Sequence, residues 1–75
     1  MSPYTLGEML KEASDRVGAV DARVLLAHVT GRSAAELATH PETQMRAQQE
    51  TTYRELIERR AAGEPVAYLT GGRYQ

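Results

Sequence analysis

The stretch that decides the fold reads Glu58-Arg59-Arg60-Ala61-Ala62-Gly63-Glu64-Pro65-Val66-Ala67-Tyr68-Leu69-Thr70-Gly71. Its paired arginines indicate the end of a helix, where positive charge is favourable. Gly63 predicts a left-handed stop, and Pro65, which suits a first helical position, predicts a fifth short helix running to Gly71. A junction of this kind normally leads to further structure, so a chain with only four residues after it is interpreted as a fragment.

The helix before this junction is predicted to be the longest, from about Ala47 to Ala62. Residues spaced as one helix face are Tyr53, Leu56, Ile57 and Arg60. Oppositely charged residues on the other side are four apart, which predicts the pairs Glu50 with Arg54 and Glu55 with Arg59. Tyr53 and Tyr68 both fall among apolar positions, and both are expected to fill the core.

Further start and stop signals lie toward the N-terminus. Thr5 and Glu8 form a capping box, which predicts a helix from about Leu6 to Val17 that Gly18 ends in a left-handed conformation. A second box, Ser33 with Glu36, predicts a short helix that ends before Pro41.

Between these two helices, Asp21 is predicted to cap a helix that ends at Gly31. Its apolar positions are Ala22, Leu25, Leu26 and Val29. Val20, just before the proposed cap, is expected to pack on Leu25 as a hydrophobic staple. The residues from Thr39 to Arg46 are mostly polar, which predicts a loop or a mobile joint.

These signals together predict an all-α fold, a compact bundle of about five short helices over residues 1–71. Residues 72–75 are interpreted as the start of a linker to a catalytic domain that this chain does not contain. No internal repeat and no alternating strand pattern with a hairpin signal is present.

Composition excludes several classes of function. Nine basic and ten acidic residues leave a net charge of −1, without the basic excess of a nucleic-acid-binding module. No apolar run approaches the ~20 residues that cross a bilayer, and the N-terminus does not resemble a signal peptide. We therefore expect a cytoplasmic protein with no membrane or direct nucleic-acid contact. The absence of cysteine excludes disulfides and thiolate metal sites.

The sequence offers no recognisable catalytic, cofactor-binding or metal-binding residues. No glycine-rich loop joins a strand to a helix, as a phosphate or cofactor cradle requires. His28 is interpreted as a half-buried helix residue and His40 as a loop residue, neither with a partner at metal-ligand spacing. Ser33 serves as a helix cap, and the other serines lack a recognisable base.

Two residues at the end of the long helix have two interpretations. Arg59 and Arg60 either complement the negative helix C-terminus or contact an anionic surface of the next domain or of a protein substrate. A contact role is also considered for the tyrosines near the chain ends, Tyr4 and Tyr74. The candidate contact residues are therefore Arg59, Arg60 and Tyr74.

Two segments taken together resemble the N-terminal domain of the HemK/PrmC family of methyltransferases. The first runs from Asp21 to Gly31, and the second, Arg59 to Gly71, fits the pattern R-R-x-x-G-E-P-[VI]-x-[YH]-L-x-G. The resemblance covers essentially the whole chain in order. After the last glycine the family usually continues Arg-Glu-Phe, whereas this chain has Gly72-Arg73-Tyr74-Gln75.

The resemblance implies a helical domain joined by a short β-hairpin to a larger S-adenosylmethionine-dependent domain. These enzymes modify the glutamine of the Gly-Gly-Gln motif in peptide-chain release factors. The family's cofactor loop and its Asn-Pro-Pro-Tyr motif belong to the larger domain, so the present chain is expected to be inactive alone and to bind no cofactor. Its implied role is to help recognise and orient the release factor. We expect the protein to be a monomer.

Other classes of function remain open on the sequence. Leu56-Ile57-Glu58-Arg59-Arg60 is similar to the arginine-bearing helices of small all-helical chorismate mutases, although that fold needs longer helices. A stand-alone helical interaction module is a second alternative. A helix-turn-helix DNA reader is a third, suggested by the short Gly31-Arg32 connection, but Arg32 is the only lysine or arginine between Arg23 and Arg46.

Overall fold

Local capping signals set where two of the helices begin. In the computed structural model, which describes residues 4–70, the Thr5 hydroxyl accepts from the Glu8 amide at 3.2 Å, and the Thr5 amide donates to the Glu8 carboxylate at 2.9 Å. Ser33 and Glu36 repeat this reciprocal arrangement at 3.2 and 3.1 Å. Both predicted capping boxes are confirmed.

The described residues form an all-α bundle, as predicted. Its helices are α1 (Leu6–Val17), α2 (Ala19–Thr30), α3 (Ala34–Thr39), α4 (Ala47–Ala61) and α5 (Val66–Leu69). α1 and α2 form the most extensive helix pair, α4 packs across both, and α5 packs on α2 and α4. The longest of these helices has 15 residues, which does not fit the long helices of the chorismate mutase alternative. Within residues 4–70, no helix is long and apolar enough to span a membrane.

The start of α2 differs from the prediction. Gly18 is shared between the two helices: it ends α1 and is also the N-cap of α2, with φ 95° and ψ 153°. This φ is positive, but the ψ lies outside the left-handed helical region expected for the stop. Asp21 is consequently inside the first turn rather than at the cap, and its carboxylate binds Arg60. The predicted Val20 staple is also wrong, because Val20 lies within the helix and is 68% exposed.

The core lies where α1, α2 and α4 meet. Its buried members are Leu6, Met9, Ala13, Ala22, Leu25, Leu26, Leu37, Met45, Tyr53, Leu56, Ile57 and Leu69. Tyr53 is fully buried, and its hydroxyl donates to the Ala22 carbonyl at 2.8 Å. The phenol therefore fills the core and also ties α4 to α2, as an aromatic residue with a satisfied polar end is able to do.

The loop before α4 is held against the start of α1. The amides of Leu6 and Gly7 donate to the carbonyls of Thr43 and Pro41 at 2.8 and 2.9 Å, and the Met45 amide donates to the Tyr4 carbonyl at 3.0 Å. A Cβ at Gly7 would lie 2.9 Å from Pro41 Cβ, so the glycine permits this close approach. The loop is thus anchored at several points, and Met45 enters the core.

The α4–α5 junction follows the predicted order of signals. α4 ends at Ala61, and Gly63 has φ 106°, a positive value that favours glycine. The Glu64 amide returns to the Arg59 carbonyl at 3.1 Å. Pro65 is the N-cap of α5 rather than its first helical residue, and α5 ends at Leu69. The predicted continuation to Gly71 lies outside the described residues.

Candidate functional site

The predicted contact residues Arg59 and Arg60 lie where α4 ends beside the start of α2. Arg60 donates through Nε to the Asp21 carboxylate at 2.8 Å and through a terminal nitrogen to the Glu64 carbonyl at 3.2 Å. The side chains of Arg60 and Asp21 are 33% and 28% exposed. One guanidinium therefore connects three parts of the molecule, α4, α2 and the turn before α5.

Arg59 has a different partner from the one predicted. Its Nε and a terminal nitrogen donate to the Glu64 carboxylate at distances from 2.8 to 3.2 Å, a forked arrangement that replaces the predicted pair with Glu55. The hydrogen bond from Arg59 lowers the pKa of Glu64, and the hydrogen bond to Glu64 raises the pKa of Arg59. The side chains of Arg59 and Glu64 are 49% and 35% exposed, so water screens this ion pair.

The two predicted arginines are therefore together at one junction, although both have partners inside the domain. Tyr74, the third predicted contact residue, lies outside the described residues. The predicted Glu50–Arg54 pair is present at 3.0 Å, and Arg54 also binds Glu12 at 2.6 Å. The Arg54 guanidinium lies 5.0 Å from the centre of the Tyr4 ring, which ties the N-terminal segment to α4.

The prediction that Tyr68 fills the core is wrong, because 66% of this residue is exposed. α5 has only four residues, and its inward side is taken by Leu69 and, in part, Val66. Tyr68 is close enough to Arg59 to contribute to the raised pKa of that guanidinium, after the larger effect of Glu64. Large apolar side chains are also exposed on α2, at Val20 and Val24. Sequence reasoning missed the exposure of Tyr68, because helical spacing alone does not show which side of a one-turn helix is covered.

A groove lies between α1 and α4. Its apolar residues are Met9, Ala13, Tyr53 and Ile57, and its charged residues are Glu12, Arg16, Arg54 and Glu58. Arg16 forms an ion pair with Glu58, and Arg54 forms one with Glu12. The groove is thus bordered by paired charges that join the two helices, and its tyrosine hydroxyl is already hydrogen-bonded to Ala22. These contacts are those of a helix interface rather than of a reacting centre.

The histidines do not form a site with other ligand-type residues. His28 is exposed on α2, so its predicted half-burial is wrong. His40 is exposed at the end of α3, with Nδ1 3.4 Å from the Glu42 carboxylate. Among residues 4–70, no group of three or more histidine or acidic side chains is placed to hold a metal ion.

Comparison with known families decides which domain this is. A family model described as the PrmC N-terminal domain matches residues 6–71. The chain belongs to this family. The matched residues include all five described helices. The PrmC N-terminal domain therefore corresponds to the helical bundle and includes the α4–α5 junction.

Relatives of this PrmC N-terminal domain are considerably longer proteins. A release factor glutamine methyltransferase of Burkholderia pseudomallei is 44% identical over 72 residues, which cover 96% of this chain and 25% of that protein. Namesakes from Bordetella pertussis and Escherichia coli are 48% and 45% identical over 72% and 71% of the chain, and 20% and 19% of their own lengths. The chain thus spans a quarter or less of these relatives. No solved structure gave a match.

The stretch that carries the family resemblance works as one junction in the PrmC N-terminal domain. Arg59 binds the Glu64 side chain and Arg60 binds the Glu64 backbone, Gly63 supplies the positive φ, and Leu69 is buried. Among the described residues of this stretch, Tyr68 is the large hydrophobic side chain that is exposed. The junction therefore explains most of the sequence pattern and leaves the tyrosine available for another contact.

Proposed function

We propose that this chain is the substrate-recognition domain of a release factor glutamine methyltransferase. In this proposal it binds the release factor and orients it, and a catalytic domain outside this chain methylates the glutamine of the Gly-Gly-Gln motif with S-adenosylmethionine. The protein acts in the cytoplasm as a monomer, without direct contact with nucleic acid or membrane. The observation that carries the proposal is the family match over residues 6–71, together with relatives that are named as methyltransferases of this substrate.

The chemistry of the described residues supports the proposal that methyl transfer takes place in another domain. The positive-φ glycines among residues 4–70 are Gly18, Gly31 and Gly63, and each ends or separates helices rather than cradling a ligand. Charged groups around the α1–α4 groove and at the α4–α5 junction are paired with one another. These residues do not fit a site for S-adenosylmethionine, so no step of methyl transfer is assigned to them. The 75-residue chain alone is expected to be inactive.

A recognition domain is physically reasonable for this substrate. Modification of one glutamine in a folded protein gains from contacts remote from the reacting side chain, because those contacts supply orientation. In the proposal Arg59 leaves its ion pair with Glu64 and contacts an anionic group of the release factor or of the next domain instead. Arg60 holds the end of α4 on α2 so that Arg59 is presented correctly. Tyr74 remains a proposed contact residue.

The test compares two substrates of the longer enzyme with and without residues 1–70. One substrate is an intact release factor, and the other is a short peptide containing Gly-Gly-Gln. Removal of the domain is expected to lower kcat/KM for the intact factor by about 100-fold, the scale of a lost positioning contact. The peptide, which is too small to reach a second domain, is expected to react at nearly the same rate with both enzymes.

Binding of S-adenosylmethionine, measured by calorimetry, provides the control for folding of the truncated enzyme. Equal losses with both substrates, at unchanged cofactor binding, would assign the domain a role in the catalytic site instead of recognition. Unchanged methylation of the intact factor would contradict the proposal and favour the alternative of an interaction module with a different partner.

A further inference from the structure

The outward side of α2 combines apolar and basic side chains. Val20, Val24 and His28 follow one another at intervals of four residues, and Arg23 comes three residues after Val20. These spacings place side chains on the same side of an α-helix. All four residues are exposed, Val20 and Val24 by 68% and 44%. We refer to Val20, Arg23, Val24 and His28 as the α2 face.

The α2 face lies opposite the side of the helix that packs in the core. The core side holds Ala22, Leu25 and Leu26, which are fully buried. A surface helix normally has polar side chains opposite its core side, whereas a helix that is apolar on both sides is normally covered on both. Val20 and Val24 are one turn apart rather than scattered singly, so their exposed apolar areas adjoin each other. This pattern favours a contact surface.

The positive charge of the α2 face is not balanced within the domain. Asp21 is the only acidic residue of α2, and its carboxylate binds Arg60. Among residues 4–70, Arg23 forms no ion pair, whereas most of the other described arginines do. The face therefore offers a guanidinium beside apolar side chains, and it complements a surface that is both apolar and acidic.

We propose that the α2 face binds the release factor, through a patch of that protein in which apolar side chains adjoin an acidic residue. This inference rests on the proposed function, because it names the surface with which the domain recognises its substrate. Charge argues against a second copy of the chain, since a two-fold dimer pairs the same patch of both copies and this face has no free carboxylate to meet Arg23. The face is small for a permanent interface, which buries about 800 Å² or more on each partner, and it suits a transient enzyme–substrate contact.

The side chains of the α2 face have different parts in this contact. Arg23 binds the carboxylate of the partner, which a planar guanidinium holds through two parallel hydrogen bonds. Val20 and Val24 bury apolar area and keep water away from the guanidinium, which strengthens its attraction to the carboxylate. His28, one turn after Val24, adds a hydrogen-bonding ring at the edge of the contact.

The test uses the full-length methyltransferase with the intact release factor as substrate. Arg23→Glu reverses the charge of the α2 face and is expected to raise KM about tenfold while kcat stays nearly unchanged, as for a lost binding contact. The matched control is Arg46→Glu, which makes the same change at another exposed arginine that has no ion pair among residues 4–70. This control is expected to leave KM nearly unchanged. At about 1 M salt, where the screening length is about 3 Å, the ratio of KM between Arg23→Glu and the wild type is expected to shrink.

The apolar part of the α2 face is tested with a double variant. Val20→Ser with Val24→Ser removes most of the exposed apolar area and is also expected to raise KM for the intact factor about tenfold. Tm is expected to match that of the wild type, because both positions are exposed. A raised KM together with a clearly lowered Tm would assign these valines a structural role and overturn the inference.

Other occupants of the α2 face give different results. A short peptide containing Gly-Gly-Gln does not reach this face, so kcat/KM for the peptide is expected to be the same in all variants. Equal losses with the peptide and the intact factor would overturn the inference in favour of the catalytic domain. A variant that lowers the molar mass of the free enzyme in light scattering would overturn it in favour of a second copy.

The enzyme that lacks residues 1–70 separates this inference from the proposed function. If that enzyme methylates the intact factor poorly but the α2 variants retain the KM of the wild type, only the α2 face is contradicted. If that enzyme methylates the intact factor as well as the full-length protein does, the proposed function itself is contradicted.

Discussion

Tyr53 shows how one side chain contributes both packing and a polar link. It is the largest fully buried side chain, and its hydroxyl reaches the Ala22 carbonyl at 2.8 Å. Tyr53→Phe retains the ring and removes this hydrogen bond, so we expect the free energy of unfolding to fall by about 1 to 1.5 kcal/mol in urea denaturation. The control is Tyr68→Phe at an exposed position, where we expect a change within about 0.5 kcal/mol. Equal effects of the two substitutions would contradict the role assigned to the buried hydroxyl.

Tyr53 also makes the free energy of unfolding depend on pH in the alkaline range. Burial raises the pKa of Tyr53 well above its ordinary value of about 10. Above pH 10 the unfolded chain loses this proton while the folded chain retains it, so the stabilisation present below pH 10 is lost as pH rises toward the folded pKa. In this range the free energy of unfolding falls by up to about 1.4 kcal/mol per pH unit. Urea denaturation between pH 9 and 11 is expected to show a shallower decline for Tyr53→Phe than for the wild type.

Arg59 and Arg60 are adjacent in the chain, but we expect them to contribute differently to the free energy of unfolding. The side chains of Arg60 and Asp21 are 33% and 28% exposed and join two helices, whereas those of Arg59 and Glu64 are 49% and 35% exposed and lie only five positions apart in the chain. We expect Arg60→Met to lower the free energy of unfolding by about 1 to 2 kcal/mol, because it leaves Asp21 without its charged partner. Arg59→Met, the matched control, is expected to cost clearly less. An equal or larger effect of Arg59→Met on the urea midpoint would refute this ranking.

At the scale of elements, the connection between α4 and α5 depends on one backbone angle. Gly63 has φ 106°, whereas Ala62 beside it has φ −80°. Gly63→Val places a β-branched residue in a conformation that such residues avoid, at a cost of about 1 to 3 kcal/mol, and is expected to lower Tm by roughly 5 to 15 °C. Ala62→Val introduces the same side chain at an ordinary φ and is expected to change Tm much less. Equal melting temperatures for the two variants would show that the positive φ is not what limits substitution at Gly63.

Elements with local start signals were predictable from the sequence. The predicted capping boxes at Thr5 and Ser33 are confirmed, because the two residues of each box are only three positions apart in the chain. Asp21 was predicted as a cap without a box partner three residues on, and this was wrong: its carboxylate binds Arg60, 39 positions away, and the helix begins earlier, at Ala19 after its N-cap Gly18. A one-sequence pattern contains no information about such a distant partner.

The location of Arg59 and Arg60 in the last turn of α4 was predictable from the sequence, but their partners were not. The end of α4 does bring Arg59 and Arg60 to one junction, yet the partner of Arg59 is Glu64 rather than Glu55. The turn at Gly63 folds the chain back, and Glu64 then competes successfully with the residue one helical turn earlier. Tyr68 was expected in the core because its neighbours are apolar, but α5 has a single turn and Leu69 already occupies its buried side.

At the scale of the whole molecule, several connections meet at one end of the bundle. The end of α1, the start of α2 and the end of α4 are joined there by Arg16 with Glu58 and by Arg60 with Asp21. The chain leaves α4 at this end and passes through α5, which packs back on α2. These ion pairs and the packing of α5 hold the ends of α1 and α4 and the short helix α5 together with the start of α2.

The two interpretations of Arg59 are separated by exchanging its charge with that of Glu64 in the full-length enzyme. Arg59→Glu alone places two carboxylates together and is expected to lower both Tm and release factor methylation. The double exchange Arg59→Glu with Glu64→Arg restores an ion pair within the domain, so Tm is expected to recover. If Arg59 contacts the release factor, KM for the intact factor is expected to remain raised by about tenfold in the double variant, because the outward charge is still displaced. Recovery of both Tm and KM would leave Arg59 as a helix-end charge only, and the contact surface would then have to be sought elsewhere on the bundle.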